Sequence, residues 1–118
     1  MRWFAEAGDI YLHRDPVDFR KSINGLSGIV EAEMALSPYS QAIFVFCNKR
    51  RDKLKILHWD NSGFVLWYKR LEKDKFKWPR RHSDDVVSLS HEQLGWLLRG
   101  LDINRLTPHQ SLTFSSDI

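Results

Sequence analysis

Residues 53–72 read KLKILHWDNSGFVLWYKRLE, and this stretch decides the fold. Two runs rich in apolar and aromatic side chains flank the sequence DNSG at 60–63, and these four residue types form tight turns between strands. The pattern predicts a hairpin with strands at 53–59 and 64–72, in which Gly63 can take a positive φ.

The turn also fixes which residues of the strands lie opposite one another. A symmetric turn at 60–63 predicts the cross-strand pairs Trp59–Phe64, Leu57–Leu66 and Lys55–Tyr68. A strand at 41–48 precedes the hairpin, and a symmetric turn at 49–52 adds the pairs Phe46–Lys55 and Phe44–Leu57. The three strands form an antiparallel meander.

Alternation along these strands sorts the side chains onto two faces of the sheet. The first, which we call the core face, is apolar and carries Ile43, Val45, Cys47, Leu54, Ile56, His58, Val65, Trp67, Leu71 and Phe76. The second, which we call the mixed face, combines aromatic and basic side chains and carries Phe44, Phe46, Lys53, Lys55, Leu57, Trp59, Phe64, Leu66, Tyr68, Arg70, Lys75 and Lys77.

The elements outside the meander complete the fold. They are a strand at 10–13, a helix at about 16–34, a short strand at 76–78, a loop at 80–87 and a helix that follows the Ser90–Gln93 capping-box pattern and ends at Gly100. Asp15, Pro16 and Asp18 suit the start of the first helix. We expect this helix to cover the core face.

Two arrangements of the mixed face stay open. Either the second helix covers its apolar end and leaves the basic end in water, or the whole face is an open platform that stacks bases. The sequence therefore predicts one α+β domain at 1–104: an antiparallel four- to five-stranded meander packed against an N-terminal helix, with a second C-terminal helix. Residues 105–118 are predicted to form a poorly ordered tail.

Positive charge is concentrated in the middle of the chain. The net charge of the 118 residues is +3, but residues 49–81 carry 12 basic and 4 acidic side chains, a net charge of +8. Such a local excess favours a polyanionic partner such as DNA, although lysines on an exposed sheet edge also prevent aggregation. The residues predicted to bind phosphates are Lys53, Lys55, Arg70, Lys75 and Lys77, with Arg20 and Lys21 as second choices.

Several of these residues have a second interpretation. Arg20 and Lys21 serve either a salt bridge or a phosphate contact, because basic residues at the start of a helix oppose its dipole. Trp59 and Tyr68 are predicted either to stack on bases or to belong to the core.

Signals of catalysis are weak. The sequence contains no P-loop, GxGxxG or HExxH motif, and we expect no enzymatic activity, metal or cofactor. Asp60 is best explained as a turn residue, and His58 as a hydrogen-bonded core residue. The single cysteine, Cys47, favours a structural role and a reducing cytoplasm. The first ten residues do not resemble a signal peptide, and no apolar run approaches the roughly 18 residues of a membrane span.

Three blocks of the sequence carry a resemblance to a known family. They are DFRKSINGL at 18–26, KLKILHWD at 53–60, and LWYKRLE at 66–72 with FKWP at 76–79. Together they resemble the accessory TnpB proteins, the second open reading frame of the insertion-sequence-66 transposons. The resemblance implies a bacterial protein that supports transposition, and it carries over no catalytic residues.

Three functions follow as hypotheses. The favoured one is a non-catalytic accessory protein that contacts DNA, at the transposon ends or the target, through the basic meander. The alternative is a module that docks on the transposase, or on another accessory protein, without binding DNA. A third, a nuclease, requires clustered carboxylates or a histidine–metal site.

Overall fold

The computed structural model describes residues 8–79 and 85–103. Within them, a five-stranded sheet lies between two helices. In chain order the elements are β1 (Ile10–His13), α1 (Ile23–Ala32), β2 (Ile43–Cys47), β3 (Lys53–Trp59), β4 (Phe64–Arg70), β5 (Val86–Leu89) and α2 (His91–Leu98). The strand order is β4-β3-β2-β1-β5. Only the β1–β2 pairing in this sheet is parallel. The predicted α+β class is confirmed.

The predicted register of the meander is confirmed at every pair. The observed pairs include Trp59–Phe64, Leu57–Leu66, Lys55–Tyr68, Phe46–Lys55 and Phe44–Leu57. The Asp60 carboxylate holds the β3–β4 turn by accepting a hydrogen bond from the Gly63 backbone N–H at 3.1 Å. The positive φ of this turn belongs to Asn61 (81°) and not, as predicted, to Gly63. Asparagine tolerates the left-handed region better than most residues.

The first helix was predicted to cover the core face, but it covers the mixed face, and the second helix covers the core face. The mixed face packs on α1, through Leu26, Ile29 and Val30, whereas the core face packs on α2, through Leu94 and Leu97. The reason is the parallel β1–β2 pairing, which makes β1, α1 and β2 a crossover unit. The hand of such a unit determines which face its helix covers.

The predicted start of the first helix is wrong by seven residues, because α1 begins at Ile23 after Ser22 and not at residue 16. The cause is a tertiary contact: the Lys55 ammonium donates hydrogen bonds to the carbonyls of Phe19 (2.9 Å) and Lys21 (2.8 Å). In a helix those carbonyls would accept from N–H groups four residues later. Asp15 and Asp18 are therefore not helix-start residues.

The C-terminal half contains one missed strand and one strand that does not form. Residues 86–87, assigned to a loop, belong to β5, which pairs antiparallel with β1. Residues 76–78 are not a strand; Phe76 and Trp78 instead fill the core, and the indole N–H of Trp78 donates to the His13 carbonyl at 3.2 Å.

The predicted end and start of α2 are confirmed. Ser90 and Gln93 form the capping box, and Gly100 follows the helix with a φ of 80°. Residues 80–84 of the predicted 80–87 loop and the predicted tail at 105–118 lie outside the described residues. Within the described ranges, no helix has the length and apolar character needed to cross a membrane.

Candidate nucleic-acid interface

Three segments meet at the end of the sheet that is remote from the β3–β4 turn. The Val17 N–H donates to the Cys47 carbonyl at 2.9 Å, which places the segment before α1 beside the end of β2. The N–H groups of Leu71 and Phe76 donate to the carbonyls of Asp52 (2.8 Å) and Arg51 (2.7 Å). The segment after β4 therefore runs along the β2–β3 turn, and the basic residues of the meander gather at this end.

An open groove of about 530 Å³ lies at this end of the sheet. We call it the basic groove, and its lining residues are Val17, Asp18, Phe19, Arg20, Asn48, Lys49, Arg50, Lys53 and Tyr68. Four of these residues are cationic and two are aromatic. The segment before α1 and the β2–β3 turn supply most of them, while β3 and β4 contribute Lys53 and Tyr68.

Arg20 and Asp18 form an ion pair within the groove. The Arg20 Nη2 lies 2.6 Å from Asp18 Oδ2, and its Nε also donates to that carboxylate at 3.0 Å. These hydrogen bonds lower the pKa of Asp18 to about 2. The Arg20 side chain is 92% exposed, so the remaining donors of its guanidinium face solvent. Arg20 was predicted to serve either a salt bridge or a phosphate contact. The salt bridge to Asp18 is present, and the exposed part of the guanidinium can still contact a phosphate.

Lys55 does not belong to the solvent-facing cations, which corrects its predicted role in phosphate binding. It is only 7% exposed, and its ammonium lies 4.7 Å from the centre of the Phe19 ring, besides its two carbonyl partners. Desolvation lowers its pKa. Lys55 thus anchors the segment before α1 to the sheet and positions Phe19 in the groove.

The aromatic candidates lie at opposite ends of the mixed face. Tyr68 lines the basic groove, is 51% exposed and meets Phe19 edge to face at 6.3 Å. Trp59 lies four residues along β3 from Lys55, the residue opposite Tyr68, roughly 13 Å at 3.3 Å per residue. Trp59 packs there against Tyr39 and Phe64, and we call these three residues the aromatic cluster. The ring centres of Tyr39 and Phe64 each lie 5.1 Å from the ring centre of Trp59.

An open stacking platform over the whole mixed face is excluded. Phe44, Phe46 and Leu57, at its centre, are completely buried beneath α1. Only the two ends of the face reach solvent, and the end with Lys53 is the basic one. The predicted covering of this face is right, but the covering helix is the first and not the second.

The other predicted phosphate ligands lie outside the groove. Arg70 pairs with Glu72 at 2.9 Å, and Lys77 pairs with Asp74 at 3.3 Å. Lys75 is exposed in the same segment. Lys21 is also exposed, and its carbonyl binds Lys55. Their roles in DNA binding stay predictions.

Sequence reasoning missed three side chains of the groove. Lys49 and Arg50 were counted in the charge of the middle segment but were not named as ligands, although the adjacent basic residues of the KRR run at 49–51 were a usable signal. Phe19 falls within the range predicted as the first helix, about 16–34, and that prediction does not bring it to the groove. Its place in the groove depends on Lys55, which no local pattern reveals.

Two features of the described residues concern catalytic sites. Among them, no group of three His, Cys, Asp or Glu side chains is arranged to hold a metal ion. Burial raises the pKa of the Cys47 thiol to about 12. Cys47 pairs with Leu54 and His58 with Ile43, at opposite ends of the β2–β3 pairing, so the two do not form a nucleophile–base pair.

Comparison with known proteins finds one matching family model and two similar proteins. The family model described as IS66 Orf2-like protein matches residues 8–108, which include every residue of the basic groove. Two uncharacterized proteins of Sinorhizobium fredii are similar. One, y4jC, is 40% identical over 97 residues, 82% of each chain. The other, y4hO, is 29% identical over 93 residues, 79% of this chain and 80% of its own. No solved structure matches the chain significantly. The resemblance inferred from the sequence is confirmed.

Proposed function

Because the chain belongs to the IS66 Orf2-like family, we propose that it is a non-catalytic accessory protein that contacts DNA through the basic groove during transposition. Membership of the family associates the chain with the movement of an insertion sequence. Contact with DNA and the absence of catalysis are the further steps that we propose.

The observation that carries the proposal is the composition of the basic groove. Arg20, Lys49, Arg50 and Lys53 line one concavity together with a single acid, Asp18, which Arg20 already neutralises. Such a local excess of cations attracts the phosphate backbone and releases its counterions. Lys75 is exposed in the segment that runs along the β2–β3 turn, and it adds positive charge near the groove.

The proposal is tested by fluorescence anisotropy with labelled single-stranded and duplex DNA over a range of salt concentrations. Four phosphate contacts should give a slope of about −3 in log affinity against log salt, at roughly 0.7 to 0.9 per contact. Arg50→Glu should weaken binding and reduce the slope by about one.

Arg99→Glu is the matched control, because Arg99 is exposed beside α2, which covers the opposite face of the sheet. It carries the same change of charge and should bind DNA nearly as the wild type does. Equal effects of the two variants, or no binding of either DNA at low salt, would refute the proposal.

A test for cleavage addresses the non-catalytic half of the proposal. Labelled DNA incubated with the protein and Mg²⁺ or Mn²⁺ should remain intact. Metal-dependent cleavage that is lost in Asp60→Ala or Glu72→Ala would show a nuclease instead.

The second candidate, docking on the transposase, is favoured by the aromatic cluster. Tyr39 is 58% exposed and lies against Trp59 and Phe64, and tyrosine and tryptophan are the residues that most often anchor interfaces. This function predicts that the transposase of the element copurifies with the protein after nuclease treatment. Tyr39→Ala should abolish that association, and its persistence in this variant would count against the cluster.

A further inference from the structure

We propose that the basic groove takes single-stranded DNA, with one unpaired base stacked on the Tyr68 ring. This inference rests on the proposed function and names the form of DNA that the groove recognises. It assigns the phosphates on either side of that base to the cations of the groove.

The first observation is the state of Tyr68. Its ring is half exposed, although the neighbouring residues of the mixed face are covered by α1. It meets Phe19 edge to face at 6.3 Å, with an angle of 83° between the rings. An aromatic face beside cations is the arrangement that binds unpaired bases without regard to sequence.

The second observation is that Lys55 holds the rings of Tyr68 and Phe19 in position. Lys55 lies opposite Tyr68 in the β3–β4 register, and its ammonium is 5.9 Å from the centre of that ring. The same ammonium holds the carbonyls of Phe19 and Lys21. Both rings of the groove are therefore positioned before a ligand binds, which reduces the entropy lost on binding.

The third observation is the position of the cations relative to the ring. Lys53 is the diagonal cross-strand neighbour of Tyr68, a separation of about 7–8 Å between the two residues. Arg20, Lys49 and Arg50 are exposed in the segments on either side. A strand that places a base on Tyr68 can therefore bring its flanking phosphates to these cations.

Duplex DNA does not match this arrangement. A duplex presents phosphates on a convex surface and offers only the edges of its bases in its grooves. It can reach the exposed cations but cannot present the face of a base to Tyr68. Only an unpaired base can stack on the exposed ring of Tyr68.

The inference is tested by anisotropy with a labelled single-stranded oligonucleotide and with the duplex of the same sequence. Tyr68→Ala should weaken binding of the single strand by about 5- to 150-fold, the range expected for the loss of one stacked base, and should alter duplex binding by less than twofold. Tyr68→Phe keeps the ring and should bind the single strand like the wild type.

A second measurement uses the unaltered protein. A 2-aminopurine base in the single strand should lose fluorescence on binding, because stacking quenches it. Tighter binding of the duplex, an equal effect of Tyr68→Ala on both forms, or an unquenched base in the complex would overturn the inference. In all three cases a loss of binding in Arg50→Glu would leave the proposed contact with DNA intact.

Discussion

Replacement of Lys55 by methionine tests whether this lysine stabilises the fold rather than binding DNA. The substitution keeps a long side chain in a site that is only 7% exposed, but it removes the ammonium group. The carbonyls of Phe19 and Lys21 then lose the donor that lies 2.9 and 2.8 Å away. We expect the segment before α1 to loosen from the sheet.

The magnitude follows from the two hydrogen bonds. A hydrogen bond to a charged group contributes about 1.5–3 kcal/mol, so the pair contributes about 3–6 kcal/mol. Two effects reduce this figure: the ammonium no longer has to be desolvated, and the carbonyls, near the surface, can bind water. We expect the free energy of unfolding to fall by about 2–4 kcal/mol, a large part of the stability of a domain this size.

The assay is urea denaturation at neutral pH, followed by tryptophan fluorescence. Lys53→Met is the matched control, because residue 53 lies on the same face of β3, two positions earlier, and is half-buried in the groove. The control should change the free energy of unfolding by no more than about 0.5 kcal/mol. Equal losses in the two variants, or a loss below about 0.5 kcal/mol for Lys55→Met, would refute the reasoning.

Four further predictions concern stability, titration and thiol reactivity. Gly28→Ala should stabilise α1 by about 0.5–1 kcal/mol in urea denaturation, because a Cβ there meets nothing within 4 Å. Gly25→Ala, in the same helix, should destabilise the protein, because its Cβ would lie 2.9 Å from the Cβ of the lysine four residues earlier; a gain in both variants would contradict this packing. By NMR, Asp18 should titrate near pH 2, and Arg20→Ala should raise its pKa toward the ordinary value of 3.8, with part of the lowering kept because the backbone N–H of residue 20 still donates to the carboxylate. Since the folded pKa lies below the unfolded one, the ion pair stabilises the fold above about pH 4, and its contribution disappears as the pH falls toward 2; an unchanged titration in the variant would exclude the pair. Cys47, with a pKa of about 12, should react with a thiol reagent at pH 8 only as fast as the protein unfolds. Rapid labelling of the native protein would contradict its burial.

Local sequence signals were enough to predict the meander. The DNSG turn and the alternation of side chains fix the pairs from Trp59–Phe64 to Lys55–Tyr68 without reference to the rest of the chain. The Ser90–Gln93 capping box is equally local, and it marked the start of α2. Both features are properties of a few neighbouring residues.

The errors arose where distant segments decide the structure. The pairing of β1 with β2 is parallel and joins residues more than 30 positions apart, and it determines which face α1 covers. Lys55 was predicted to bind phosphate because the alternation of side chains along β3 places it on the same face as Lys53. Its burial depends on the carbonyls of Phe19 and Lys21, and those same contacts delay the start of α1.

The same reasoning explains what could be predicted of the candidate site. The charge of the middle segment located the positive end of the sheet, and register placed Lys53 and Tyr68 on one face. The groove itself also needs Phe19 and Arg20, which reach it through the contact of Val17 with the end of β2. That contact has no signature in the sequence of either segment.

Binding of DNA in the basic groove can be located by an NMR titration of the isotope-labelled protein with a short single-stranded DNA at low salt. The largest changes in backbone amide shifts should occur in the basic groove, at Arg20, Lys49, Arg50, Lys53 and Tyr68. The aromatic cluster, whose Trp59 lies roughly 13 Å along β3 from the residue opposite Tyr68, should not respond. Changes centred on the aromatic cluster, or no changes at all, would show that the basic groove does not bind DNA.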